Sequence, residues 1–148
     1  MKPSELRARV LTEHVQLRKL LSETIGVATR TLAGEKTNPA RLHAKARQLR
    51  AALLAHIDME DKLLYPAIVD VDAWGPVRGD RMRHEHGQQR AALARFAAVE
   101  WRVTTVELAR ALDDLGNQIL EDMHQEEQEL LDPDLLRDDV IAIAQVAE

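Results

Sequence analysis

The sequence predicts an all-α protein folded as an antiparallel, up-down-up-down four-helix bundle. The 148-residue chain is 45% hydrophobic and 30% charged, and it has only 6 glycines and 5 prolines, a composition typical of folded helical domains. Apolar residues recur at helical spacing along four long segments. The breaks between these segments are short, and short connections make consecutive helices antiparallel neighbours.

Local signals mark where each helix begins and ends. Ser4 is a candidate N-cap for helix 1, and Gly34–Pro39 forms the break that follows this helix. A second break lies at Asp70–Pro76, and helix 4 begins after Thr104, which has capping-box spacing to Glu107. The four predicted helices are Ser4–Leu32, Ala40–Val69, Arg78–Glu100 and Thr105–Leu131.

These elements predict one bundle domain over residues 1–133 and a short helical tail, residues 134–148, packed on the bundle. A formal charge of −5 without a basic run argues against a nucleic-acid partner. No apolar stretch approaches about 18 residues, so no membrane span is expected. The chain has no cysteine, which excludes thiolate ligands and makes a reducing cytoplasm the expected location. The oligomeric state is left open.

Four of the six histidines fall on or beside the apolar stripes of their helices. At about 100° per residue, His14 lies within the stripe of helix 1 and His86 within that of helix 3. His56 and Glu60 share the stripe of helix 2, and His124 lies near the margin of the helix 4 stripe. The remaining two, His43 and His84, project away from their stripes and are predicted to be solvated.

The four stripe histidines are also predicted to lie at one level of the bundle. With a rise of about 1.5 Å per residue, each is roughly 12–15 Å from the same end. Unpartnered imidazoles and carboxylates in an apolar core would cost many kcal/mol, and a bound cation removes that cost. One histidine per helix, at one height and facing one axis, therefore indicates a metal site. A metal-free network of His–Glu hydrogen bonds is the alternative.

Imidazole and carboxylate ligands without thiolate suit iron, manganese or zinc. Bundles build dinuclear iron or manganese sites from carboxylates and histidines one turn apart on facing helices. Four histidines and two bridging glutamates supply about eight donor atoms, whereas two six-coordinate ions need about twelve. An oxo or hydroxo bridge fills two more positions, so about one position stays open on each ion. Dioxygen, peroxide or nitric oxide are the expected ligands there.

The ordered set of motifs resembles the hemerythrin-like, or HHE cation-binding, domain family over residues 4–133. The motifs that carry the resemblance are His14, His56-x-x-x-Glu60 followed by Leu64-Tyr65-Pro66, Glu85-His86, and His124 with Glu127 before Leu131 and Pro133. The resemblance implies a non-haem centre of two iron ions bridged by two carboxylates. Members of this family include oxygen carriers, iron or oxygen sensors, iron–sulfur repair proteins and small bacterial proteins that handle peroxide or nitric oxide.

The chain departs from the family pattern at two positions. Oxygen carriers of this family have a second histidine four residues on in helix 3, where this chain has Arg90. The usual helix 4 carboxylate, four residues after the histidine, is replaced by Gln128. Glu127 is three residues after His124 and nearer the stripe centre, so we expect Glu127 to be the ligand and keep Gln128 as the alternative. The predicted ligands are His14, His56, Glu60, His86, His124 and Glu127.

These features favour a di-iron protein that binds and turns over a small oxidant, with catalase-like decomposition of hydrogen peroxide as the expected activity. The missing histidine at Arg90 argues against reversible oxygen carriage. An oxygen or iron sensor, or an oxygen-binding module without turnover, is the alternative. A sensor normally needs an output domain, and only the tail after Pro133 remains for that role. A ferritin-like oxidase would carry more carboxylates than this histidine-rich set.

Overall fold

A computed structural model describes residues 1–139, and within them the chain forms four α-helices and no strand. The helices are α1 (Pro3–Leu32), α2 (Pro39–Val69), α3 (Gly75–Val99) and α4 (Thr105–Glu129). Leu6, early in α1, shares a core cluster with Ile68 at the end of α2. Val27, late in α1, shares another with Leu42 at the start of α2, so these two helices run in opposite directions. The predicted fold class, an antiparallel four-helix bundle, is confirmed.

The start of α4 is built as its sequence predicts. The Glu107 N–H donates to Thr104 Oγ1 at 3.2 Å, and the Thr104 N–H donates to Glu107 Oε2 at 2.8 Å. This reciprocal pair satisfies two backbone donors that the first helical turn leaves free. At the start of α2, Asn38 Oδ1 accepts the Ala40 N–H at 3.0 Å.

Ser4 does not cap α1, so that prediction was wrong. The helix begins one residue earlier, at Pro3. Proline suits the first helical position because its ring fixes a helical φ, and because an N–H at that position would have no partner within the helix. Ser4 lies in the first turn and donates its N–H and Oγ–H to Asp138 at 2.9 and 2.8 Å. The segment after α4 is thereby tied to the start of α1.

The core consists of three apolar clusters stacked along the bundle axis. The first cluster, at the end where α1 begins, contains Leu6, Val10, Leu64, Ile68, Met82, Leu130, Leu131 and Leu136. The middle cluster contains Leu17, Leu21, Leu49, Leu53, Ile57, Leu93, Ile119 and Met123. The far cluster contains Val27, Ala28, Leu42, Ala46, Phe96, Leu108, Ala109 and Leu112.

Polar residues separate the first cluster from the middle cluster on every helix. On α1, His14 lies between Val10 of the first cluster and Leu17 of the middle cluster. The corresponding residues are His56 and Glu60 on α2, His86 on α3 and Glu126 on α4. A polar layer therefore crosses the bundle between two apolar layers.

The helices are not evenly spaced around this layer. α1 packs closely on α4, where a Cβ placed on Gly116 would lie 2.8 Å from Ile25 Cγ1. α2 packs closely on α3, where a Cβ on Gly79 would lie 2.6 Å from Val69 Cγ2. α3 and α4 pack much less closely, and a cavity of about 410 Å³ lies between them.

Residues 130–139 follow α4 as turns, and Leu131 and Leu136 are buried in the first cluster. The predicted tail falls mostly outside the described residues, since the structure describes nothing beyond residue 139. Within residues 1–139, no helix combines the length and the apolar character that crossing a lipid bilayer requires.

Candidate metal centre

Four side chains from three helices converge in the polar layer. They are His14 from α1, His56 and Glu60 from α2, and His86 from α3, and each is at most 7% exposed. His56 and Glu60 are four residues apart, so they lie one turn apart on the same face of α2. Their helices bury these residues because apolar residues occupy the same stripe before and after them.

Three donor atoms form a first group, and the distances between them match those between neighbouring ligand atoms of one metal ion. His14 Nε2 is 3.2 Å from His56 Nε2, His56 Nε2 is 2.9 Å from Glu60 Oε1, and His14 Nε2 is 3.6 Å from Glu60 Oε1. Two ligand atoms about 2.1 Å from one ion and about a right angle apart lie about 3.0 Å from each other. The observed spacing therefore fits one cation held by these three residues.

A second group shares Glu60 with the first. Glu60 Oε2 lies 3.1 Å from His86 Nε2, and Glu126 completes a set whose ligand atoms all lie within 4.8 Å of one another. Glu126 Oε1 is also 3.9 Å from His14 Nε2, so this carboxylate lies beside both groups. Because the two oxygens of Glu60 face different histidines, Glu60 has the geometry of a bridging carboxylate.

The outer nitrogen of each buried histidine is held by a carboxylate. The three pairs are His14 Nδ1 to Glu127 Oε1 at 2.9 Å, His56 Nδ1 to Glu13 Oε2 at 3.0 Å, and His86 Nδ1 to Asp61 Oδ1 at 2.6 Å. An ionised carboxylate only accepts hydrogen bonds, so each Nδ1 carries the proton and donates it. The unprotonated Nε2 of each ring then points into the polar layer, as in carboxylate–histidine–metal arrangements.

Each of these carboxylates also forms an ion pair with an arginine. The pairs are Glu127 with Arg18 at 2.6 Å, Asp61 with Arg90 at 2.7 Å, and Glu13 with Arg9 at 3.7 Å. Burial opposes ionisation of Glu127, but hydrogen bonds from Arg18 and His14 lower its pKa. Burial likewise opposes ionisation of Asp61, but hydrogen bonds from His86 and Arg90 lower the pKa of Asp61. Both carboxylates are therefore suited to accept a hydrogen bond from the imidazole Nδ1–H.

The polar layer contains unsatisfied groups that a cation would satisfy. With both Nδ1 atoms protonated, the Nε2 lone pairs of His14 and His56 converge at 3.2 Å. Within residues 1–139, Glu60 Oε1 and Glu126 Oε1 are buried without a hydrogen bond of suitable geometry, a loss of about 1–3 kcal/mol each. Nitrogen and oxygen donors of this kind suit iron, manganese or zinc. The residues present therefore fit a bound transition metal better than a metal-free hydrogen-bond network.

Without a cation, the pKa values of Glu60 and Glu126 are shifted in opposite directions. Burial opposes ionisation of Glu60, but the neighbouring imidazoles of His14, His56 and His86 hold its pKa well below the usual value. Burial, followed by the negative charge of Glu60, raises the pKa of Glu126 well above the usual value. A cation between the two carboxylates would remove the repulsion that keeps Glu126 protonated.

The structure brings together four of the six residues predicted as ligands and leaves two outside. His124 is exposed, and its Nε2 lies 3.1 Å from Nε2 of Gln128 on the outer face of α4. Glu127 is close to the centre but contacts the outer nitrogen of His14 instead of the polar layer. Glu126, which is not among the ligands predicted from sequence, provides the α4 oxygen that lies in the layer.

The difference on α4 has a geometric reason. The buried residues of α4 are Leu108, Ala109, Leu112, Gly116, Ile119 and Met123. At about 100° per residue, Glu126 and Glu127 lie about 50° to either side of the centre of this line. A stripe that also includes Leu120 and Leu131 is centred nearer to Glu127, which is the ligand expected from sequence. Leu120 is only partly buried, and Leu131 lies beyond the end of the helix. Without these two leucines, Leu112, Ile119 and Met123 centre the stripe slightly nearer Glu126 than Glu127.

Of the two histidines expected to be solvated, His84 is exposed and His43 is not. The His43 side chain is only 16% exposed, and its Nδ1 lies 3.3 Å from Glu100 Oε2. The His43 ring stacks on Trp101 with ring centroids 4.0 Å apart. That prediction was wrong because the segment between α3 and α4 covers α2 at this point, which helical periodicity cannot indicate.

The family comparison agrees with this geometry. The family model described as Hemerythrin HHE cation binding domain matches residues 6–132, which include α1 from Leu6 onward, the whole of α2, α3 and α4, and every residue of the two donor groups. No curated protein and no solved structure is significantly similar to the chain.

Proposed function

The chain belongs to the hemerythrin HHE cation-binding domain family, and from this premise we propose that it holds two iron ions and decomposes hydrogen peroxide. The observation that carries the proposal is the position of Glu60. Its Oε1 faces His14 and His56, and its Oε2 faces His86. A carboxylate shared in this way between two donor groups supports two ions instead of one.

The proposed ligands differ from those expected from sequence at α4. His14, His56 and Glu60 would hold the first ion, and Glu60, His86 and Glu126 would hold the second. Glu126 takes the place given to Glu127, and the exposed His124 is left out. Iron is the metal that family resemblance implies, and the absence of cysteine together with the imidazole and carboxylate donors is compatible with it.

This ligand set leaves more open positions than an oxygen carrier would have. Three imidazoles and two carboxylates offer about seven donor atoms for about twelve positions. The helix 3 position where carriers of the family have a further histidine is Arg90, which binds Asp61 instead. Several positions are therefore available to water and to a small oxidant, and this favours turnover over reversible binding.

When bound, iron would supply Lewis acidity and exchange of electrons with the oxidant. The chain's own residues orient the imidazoles through Glu13, Asp61 and Glu127, each of which accepts an Nδ1–H. The apolar clusters on both sides of the polar layer restrict bulk water. Disproportionation, 2 H₂O₂ → 2 H₂O + O₂, balances without an external reductant, so the reaction needs nothing beyond the loaded protein.

The proposal is tested by metal analysis and by an oxygen-electrode assay on the purified, iron-loaded chain. We expect about two irons per chain, release of oxygen from hydrogen peroxide, and loss of both properties in Glu60→Ala. His84→Ala is the control, because His84 is an exposed α3 histidine. Zinc alone after iron loading would contradict the iron centre. A stable dioxygen adduct that releases oxygen under vacuum, without peroxide turnover, would move the assignment to oxygen binding or sensing.

A further inference from the structure

The two donor groups of the candidate metal centre are built from helices that pack differently. The first group takes His14 from α1 and His56 and Glu60 from α2, and these two helices pack directly against each other. The second group adds His86 from α3 and Glu126 from α4 to Glu60, and α3 and α4 pack on each other much less closely. Ligands on two packed helices are held close together before an ion arrives, whereas ligands on loosely packed helices lose freedom when it binds.

The ligand atoms themselves show the same difference. In the first group, each pair of the three ligand atoms is 2.9–3.6 Å apart. In the second group, Glu126 Oε1 lies as near as 3.9 Å to His14 of the first group, and within residues 1–139 it accepts no hydrogen bond of suitable geometry. The Glu126 carboxylate is therefore not fixed in the second group before an ion binds.

Contacts from outside the polar layer also favour the first group. Both of its histidines donate an Nδ1–H to a carboxylate, His14 to Glu127 and His56 to Glu13. The second group has one histidine held in this way, His86. Each partner of this kind typically contributes about 10–100-fold to metal affinity, so the first group, with two of them, has the higher affinity.

The position of Glu60 makes the second ion weaker again. Its Oε1 faces the first group and its Oε2 faces the second, so two ions share the negative charge of one carboxylate. Two dications bridged by one carboxylate also repel each other, and the repulsion is strong because the polar layer lies between two apolar clusters. The ion that binds second therefore does so against the charge of the first.

We propose that the centre fills in a fixed order. The first group, with His14 and His56, binds one ion tightly, and the second group, with His86, binds another about a hundredfold more weakly. The inference rests on the proposed function and adds its regulation. Peroxide decomposition that uses both ions runs only when enough metal is present to fill the second group, so the activity follows the supply of free metal ion.

Cobalt(II) alone is the probe, because Co²⁺ is next to Fe²⁺ in the affinity series of divalent metals. An isolated Co(II) ion gives an electron paramagnetic resonance signal, whereas two Co(II) ions coupled through Glu60 form an integer-spin pair without one. With a hundredfold difference, at least about 80% of the metal-free, full-length protein should hold one ion at one equivalent, and the signal should then fall as the second equivalent binds. Two independent positions of equal affinity give about 50%, and a value at or below this level would overturn the proposal.

A matched pair of α4 variants identifies the group that fills first. Glu126→Gln changes a ligand of the second group only, so its signal should reach full strength at one equivalent and stay there at two. Glu121→Gln is the control, because Glu121 is exposed on the same helix, and it should behave like the unaltered protein. Loss of tight binding in Glu126→Gln would reverse the order and overturn the proposal. His14→Ala should lose the tight step, and if this variant does not fold, the α4 pair decides by itself.

The regulatory consequence is measured separately, as oxygen release from hydrogen peroxide during a ferrous iron titration. We expect little release up to one iron per chain and a steep rise between one and two. Release that is proportional to iron from the first addition would overturn the regulation.

The cobalt titration also separates this inference from the proposed function. A signal of about half strength at one equivalent that disappears at two would overturn the ordered filling and leave the two-ion centre intact. A signal that stays at full strength beyond two equivalents would mean that the unaltered protein binds one ion, and it would contradict the proposed function together with this inference.

Discussion

Replacing Asp61 by asparagine should weaken one metal position selectively. Asp61 Oδ1 accepts the Nδ1–H of His86 at 2.6 Å, and Asp61 Oδ2 accepts from Arg90 at 2.7 Å. The amide of asparagine is neutral, so the substitution removes the negative charge that raises the basicity of the imidazole. An amide can also either donate or accept a hydrogen bond, so the ring is no longer held in one tautomer. His86 belongs to the second donor group only, so the first group should be little affected.

The expected loss follows from the contacts of Asp61. Removing a carboxylate that orients a metal-binding histidine typically costs about 10–100-fold in metal affinity, equivalent to about 1.4–2.7 kcal/mol. The effect on the metal-free fold is smaller, because the Asp61 side chain is 29% exposed and such ion pairs contribute about 0–1 kcal/mol. Metal affinity should therefore fall much more than the free energy of unfolding.

Asp58→Asn is the matched control. Asp58 lies on the same helix and binds the same Arg90 at 2.8 Å, but its side chain is 72% exposed and, within residues 1–139, forms no ion pair with a histidine. Chelator-competition titrations with ferrous iron should show one weakened site in Asp61→Asn and two unchanged sites in Asp58→Asn. Equal losses in the two variants would refute the reasoning, as would unchanged binding in Asp61→Asn.

Three further outcomes are expected. Glu126→Gln should reduce iron content from about two ions per chain towards one, whereas Gln128→Ala and His124→Ala should keep both, as measured by metal analysis; iron loss in His124→Ala would mean that α4 is rotated. His43→Ala should lower the free energy of unfolding by about 1 kcal/mol in a denaturant titration, because Trp101 loses the ring stacked on it at 4.0 Å, yet iron content should not change. Removing iron with a chelator should lower the Tm of the protein, since a ligand that binds only the folded state stabilises it; an unchanged Tm would contradict a metal bound in the core.

The sequence was sufficient for the fold class and for the buried faces of α1, α2 and α3 that carry the histidines. Helical periodicity placed His14, His56 and His86 within apolar stripes, and the structure buries all three. The capping box at Thr104 likewise follows from spacing alone. These features are local, because a helix turns by a fixed angle per residue and its end groups are satisfied within one turn.

Only the tertiary structure decided which α4 carboxylate lies in the polar layer and what holds the histidines in place. Glu126 and Glu127 lie about 50° on either side of the centre of the buried line of α4, so periodicity does not choose between them. The roles of Glu13, Asp61 and Glu127 depend on contacts with histidines on neighbouring helices. Such contacts are set by how far apart two helices pack and how each is rotated about its axis, and neither quantity is contained in the spacing of residues along one chain segment.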